Sequence, residues 1–158
     1  MTDMSINLSE NFTLASLCHS DTANAAGIKN IPNAQEVKNL QELVTTILQP
    51  FRKELGLPIL VNSGFRNPQT NKLVGGVSNS AHLKGLAADI QCPKFGVPRA
   101  LALRLEKFLK DNKIPFDQLI RENFGRSDWV HIAVRDLNGK QRGQVLTMNR
   151  NGTHKGII

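Results

Sequence analysis

The chain has 158 residues, 40% of them hydrophobic, and a formal net charge of +7 at pH 7. That length suits a single domain over residues 1–158, with enough chain to bury a core, and no apolar run reaches the ~18 residues a bilayer span requires. The basic balance favours anionic partners, but the lysines and arginines are scattered and do not interleave with aromatic residues, which argues against nucleic acid.

The opening Met1-Thr2-Asp3-Met4 places no basic segment before an apolar stretch. It does not read as a secretory signal, so synthesis in the cytoplasm is expected, with any route outward supplied by another factor. Cys18 and Cys92 are far apart and form no metal-type pair. They read as buried free thiols, which leaves nitrogen and oxygen to hold any metal, a donor set that suits zinc.

Short helices are predicted in the first thirty residues, with Thr13 and Ser20 as N-caps and Gly27 closing the second. Asn33-Ala34-Gln35-Glu36 has the form of a capping box. Val37, Leu40, Val44, Ile47, Leu48 and Phe51 follow at helical spacing, and Pro50 should kink or restart that helix. Ile59–Ser63 reads as a strand. Residues 64–80 have loop composition, with three glycines, several asparagines and serines, and Pro68. Ala87–Ile90 is a candidate strand. Pro98 opens a helix with Leu101, Leu105, Phe108 and Leu109 on one face. Strands are predicted at Phe116–Ile120, Trp129–Val134 and Gln144–Thr147. Helices come first and strands concentrate later, without βαβ alternation, so the fold class is α+β.

His82 and Asp89 are seven residues apart. They share a face if the segment is helical, and converge equally well on a loop entering a strand; Gly85 argues mildly against a continuous helix. Asp89 lies between Ala88 and Ile90, and a buried carboxylate there needs a cation or several donors. His131 sits inside the apolar strand Trp129–Val134, where a ligand role explains it better than packing does. A catalytic zinc has three protein ligands and one open position, which His82, Asp89 and His131 could supply. Asp128 stands three residues before His131, a spare carboxylate suited to general-base work. Positions three apart on a straight strand face opposite ways, so Asp128 is expected at the strand's entrance, where Gly125 and Ser127 allow a bend. Arg66 is placed where a strand runs into the loop leading to His82, and guanidinium forks onto carboxylates. His19 and His154 read as solvated surface.

The segment Ser80-x-His82-x-x-Gly85-x-Ala87-x-Asp89 resembles the Ser-x-His-x-x-Gly-x-Ala-x-Asp motif of the zinc D-alanyl-D-alanine carboxypeptidase family. Asp128-x-x-His131 is similar to that family's second motif, and Ser63-Gly64-Phe65-Arg66 to its Ser-Gly-Tyr-Arg segment, with Phe65 in place of tyrosine. The motifs occur in the family's order. Asn11-Phe12-Thr13-Leu14 and Asn33-Ala34 resemble a compact branch rich in phage-encoded members.

The resemblance implies a hedgehog/D,D-peptidase fold, a small and mainly antiparallel sheet flanked by helices. It implies Zn2+ held by His82, Asp89 and His131, with Asp128 as general base. Arg66 would steady the substrate's carbonyl or carboxylate, and Ser80 would orient a zinc ligand from behind. The implied substrate is the stem peptide of peptidoglycan in the cell wall. A phage or prophage lysis factor fits the missing signal, with a bacterial housekeeping enzyme as the alternative; the sequence is silent on oligomeric state, and a monomer is the expectation. The competing expectation is a zinc-bearing module that binds the wall or a partner without cutting it.

Overall fold

The computed structural model describes residues 2–158. Its N-terminal helices are short and firmly capped. The Thr13 hydroxyl accepts from the Ser16 amide at the start of α1 (Leu14–Cys18), and the Ser20 hydroxyl accepts from Ala23 at the start of α2 (Asp21–Ala25). After α2 the chain turns on Gly27 at φ +70°, while the Ile28 amide bonds Ala23 O at 2.9 Å and the Gly27 amide bonds Asn24 O at 3.2 Å. This pair of bonds satisfies carbonyls that the helix end would leave open.

Helix α3 (Ala34–Leu43) begins on the expected capping box, closed by Asn33 and Glu36. It runs through a π turn at Val44–Leu48 into α4 (Gln49–Leu55). The Gln49 amide reaches back to Val44 O. Proline inside a regular helix clashes with the carbonyl four residues earlier; the widened turn just before Pro50 relieves that conflict, so the helix restarts rather than ends. Leu40, Leu43, Val44, Ile47, Leu48 and Phe51 are fully buried along this composite helix. Each such side chain contributes about 1.5–3 kcal/mol of transfer free energy. Phe51 also meets Phe108 of α6 (Pro98–Asp111), ring centroids 5.4 Å apart.

Six strands form one sheet: β1 (Leu60–Ser63), β2 (Ala87–Gln91), β3 (Gln118–Asn123), β4 (Asp128–Ala133), β5 (Gln144–Asn149) and β6 (Gly152–Lys155). Their order is β1-β2-β4-β3-β5-β6, and every neighbouring pair is antiparallel except β3 with β5. The architecture is therefore α+β, as expected. Alternation along the strands assigns the two faces. Ala88, Ile90, Leu119, Val130 and Ile132 belong to the core shared with the helices. Asp89, Ile120, Glu122, Trp129 and His131 take the other face.

Two elements depart from the expectation. Residues 64–80 are not all loop: Asn67 caps a short α5 (Pro68–Leu73), its side chain accepting from Thr70. Strand β6 was not anticipated, because Gly152–Lys155 is short, polar and mostly exposed. Among the described residues, no helix is long and apolar enough to cross a membrane.

Candidate metal centre

His82 is positioned by two close backbone approaches. It lies in a 3₁₀ turn, Ala81–Lys84, where Ser80 Oγ accepts from the His82 amide. Gly85 ends that turn at φ +71°, and a Cβ there would stand 2.7 Å from Glu36 O. The His82 Nδ1–H donates to Gly64 O at 2.7 Å. Gly64 is equally constrained, since a Cβ on it would lie 2.1 Å from Leu17 O. The Ser-Gly-Phe-Arg segment therefore needs its glycine to bring a carbonyl against the His82 ring. Phe65 points into the core and is 2% exposed.

With Nδ1 donating, neutral His82 turns the lone pair of Nε2 toward Asp89 Oδ1, 3.2 Å away. Asp89 pairs directly with His131 across the β2/β4 ladder, and His131 Nδ1 lies 3.0 Å from the same oxygen. His82, Asp89 and His131 are all buried, and one ligand atom from each lies within 4.8 Å of the others. The helix and the loop that the sequence left open are resolved as turn, glycine and strand.

The electrostatics of this cluster test whether it fits a cation. Burial would push the Asp89 carboxyl up, but His82 and His131 outweigh it and hold it below the usual carboxylate range. Burial lowers the His82 pKa despite Asp89. Burial would also lower His131, yet the Asp89 bond and the Asp89 and Glu122 charges raise it. Protonated, His82 attracts the Asp89 carboxylate; once neutral, with Nδ1 committed to Gly64 O, its Nε2 lone pair faces that carboxylate, a contact that a shared cation would make attractive again. The residues fit a metal ion with two nitrogens and one oxygen, a set suited to zinc.

The cluster lines a cavity of about 630 Å³. Arg66, Glu122 and Trp129 line the same space. The Arg66 amide bonds His82 O at 3.0 Å, and its Nη2 is 3.5 Å from Ser80 Oγ. Arg66 Nε is buried with no hydrogen-bond partner. Burial lowers the Arg66 pKa, opposed by Asp89 and Glu122; guanidinium remains charged regardless. Val77, Phe124 and Leu137 line the cavity as exposed apolar groups.

The other expected site residues are placed as follows. Ser80 makes no side-chain bond to a ligand side chain; it caps the turn through the His82 amide and meets Arg66. Asp128 is not brought to the cluster. The expected bend at the strand's entrance is absent, because the β3/β4 ladder is regular through Asn123↔Asp128. Asp128 therefore shares the face of Val130 and Ile132, where Arg121 clasps it at 2.9 and 3.2 Å. Besides Asp89, three carboxylates line the cavity: Asp117 is clasped by Arg142, Asp136 accepts from the Asn138 and Lys140 amides, and Glu122, which the sequence reading missed, stands on the sheet face of His131. Its signal was the alternation Gln118, Ile120, Glu122 on β3, uninterpretable until the strand's register was known. His19 meets Asp21 at an exposed site, and His154 meets Asn149. Cys18 and Cys92 are free and buried.

The chain is 39% identical over 130 residues to the zinc D-Ala-D-Ala carboxypeptidase of Streptomyces albus G, a match covering 80% of this chain and 46% of that protein. The chain thus spans about half the length of the curated relative it matches. The family model described as peptidase M15 matches residues 10–133, a stretch that contains all three candidate ligands. The chain belongs to the peptidase M15 family.

Proposed function

We propose that this chain is a zinc-dependent peptidase that hydrolyses a peptide bond in the stem peptide of peptidoglycan, as a D-Ala-D-Ala carboxypeptidase or a related endopeptidase. The observation that carries this reading is the buried His82, Asp89 and His131 trio lining an open cavity. The M15 match and the name of the Streptomyces relative support the chemistry and the substrate class.

His82 Nε2, the Asp89 carboxylate and one nitrogen of His131 would hold the ion. A bound zinc supplies an acidified water and a polarised carbonyl at neutral pH. The chain's own residues then orient the reactants. Gly64 O fixes the His82 tautomer, and such outer partners set ring direction and ligand basicity. Arg66, with Nε unpartnered, offers donors to a substrate carboxylate or to the oxyanion that develops at the scissile carbonyl. The cavity volume falls within the usual range for a small-ligand site. The +7 charge would hold the protein near an anionic wall polymer, its site of action.

Digestion of purified peptidoglycan, with products identified by mass spectrometry, tests the reading. The expected result is release of D-alanine or a stem fragment, abolished by a chelator and restored by zinc. Intact wall in the presence of zinc-loaded protein would refute hydrolysis and leave a binding module.

A further inference from the structure

We infer that Glu122, and not Asp128, is the general base of this site. The inference rests on the peptidase reading above and adds the proton acceptor that the three ligands do not provide.

Strand register sets which side chains share the face of the metal centre. In the β3/β4 ladder Ile120 faces His131 and Glu122 faces Trp129. Glu122 is thus the diagonal neighbour of His131 on the sheet face that carries the metal ligands. Diagonal neighbours lie about 7–8 Å apart at the backbone, within reach of a long side chain. Glu122 lines the cavity together with His82, Asp89 and His131. Asp128 lies one face away, held in a two-point pair with Arg121, which also donates to Ile158 O at 2.6 Å. To serve the cavity, Asp128 would have to leave that pair and cross the sheet.

The surroundings of Glu122 suit a proton acceptor. Burial and the Asp89 charge push its carboxyl above the ordinary range, opposed by His131, Arg66 and the Trp129 indole. The Trp129 Nε1 is buried without a closed hydrogen bond, so a donor stands ready beside the carboxylate. In the step itself, Glu122 takes one proton from water as the water oxygen bonds the scissile carbonyl carbon. The C–N bond then breaks, and Glu122 passes that proton to the leaving nitrogen. One water is consumed: its first proton reaches the leaving nitrogen through Glu122, its second leaves the new carboxyl group for the amine or solvent, a carboxylate and an ammonium are released, and Glu122 regains its starting charge.

The test compares zinc-loaded wild type, Glu122→Gln and Asp128→Asn by three readouts: zinc per chain, hydrolysis of a wall peptide, and calorimetric titration with acetohydroxamate. The hydroxamate is a zinc-binding probe whose protons need a nearby acceptor. Glu122→Gln should keep its zinc, lose about 100-fold or more in kcat with little change in KM, and bind acetohydroxamate about tenfold more weakly. Asp128→Asn should keep zinc, kcat and hydroxamate affinity within about threefold, and unfold at lower temperature because Arg121 loses its partner. Wild-type behaviour of Glu122→Gln in both kcat and hydroxamate affinity would overturn the inference. So would loss of zinc in that variant, which would make Glu122 a ligand. If wild type cleaves nothing while Glu122→Gln still weakens the hydroxamate, the peptidase reading fails and the placement of Glu122 as acceptor stands.

Discussion

Replacing Gly64 by alanine strikes the fold and the metal centre through one atom. The added Cβ would lie 2.1 Å from Leu17 O and 3.0 Å from Leu17 C, both backbone. Backbone cannot rotate aside as a long side chain can, so the segment must shift. Two bonds are strained by that shift: Phe65 N to Leu17 O at 2.7 Å, and His82 Nδ1 to Gly64 O at 2.7 Å. Overpacking of this kind costs about 1–3 kcal/mol. For a domain of this size each kcal/mol moves the unfolding midpoint by about 2–4 °C, so the metal-free variant should melt about 2–12 °C lower. Loss of a partner that orients a ligand costs about 10–100-fold in metal affinity, or about 1.4–2.7 kcal/mol. The matched control is Gly96→Ala, whose Cβ would meet only Ala100 Cβ at an ordinary 3.5 Å. Thermal unfolding of the metal-free proteins reads the first effect, and zinc competition with a chromogenic chelator reads the second. If Gly64→Ala matches Gly96→Ala in both, the close approach of Gly64 does not position His82 and the reasoning is wrong.

Cys18 should be inert toward a thiol reagent in the native state at pH 8, because burial and then Glu36 push its pKa up to about 12. The folded value lies above the unfolded value of about 8.5, so its stabilising contribution is complete below that pH. It is lost as pH rises toward about 12; denaturant midpoints measured from pH 8 upward should fall, and fall less in Cys18→Ala. Chelation should lower the melting temperature of the zinc-loaded protein, since a ligand at about 1,000 times its dissociation constant contributes about 4 kcal/mol. His82→Ala should abolish that difference; a variant that kept full zinc occupancy would contradict the ligand assignment.

Much of the centre was legible because the three candidate ligands lie in short, chemically distinctive segments. His82 and Asp89 are linked by a turn that Gly85 must end, and His131 interrupts an apolar strand where a bare imidazole is out of place. The capping box at Asn33 and the helix opening at Pro98 were equally local and are found where expected. Features that depend on pairing were not legible. Asp128 and Glu122 differ in which sheet face they take, and only the regular register of β3 against β4 decides that. Residues 64–80 concealed α5 because asparagine and proline mark a helix start as readily as a loop. The π turn before Pro50 is a tertiary compromise, made so that Leu48 and Phe51 stay in the core on both sides of the proline.

The central claim is that His82, Asp89 and His131 bind one ion together. Crystals grown with equimolar zinc, with anomalous data collected on both sides of the zinc absorption edge, test it most directly. The account predicts one strong anomalous peak bonded to an imidazole nitrogen of each histidine, at about 2.0–2.1 Å, and to an Asp89 oxygen. A fully zinc-exposed crystal with no peak at these residues, or with the peak held by others, would contradict it.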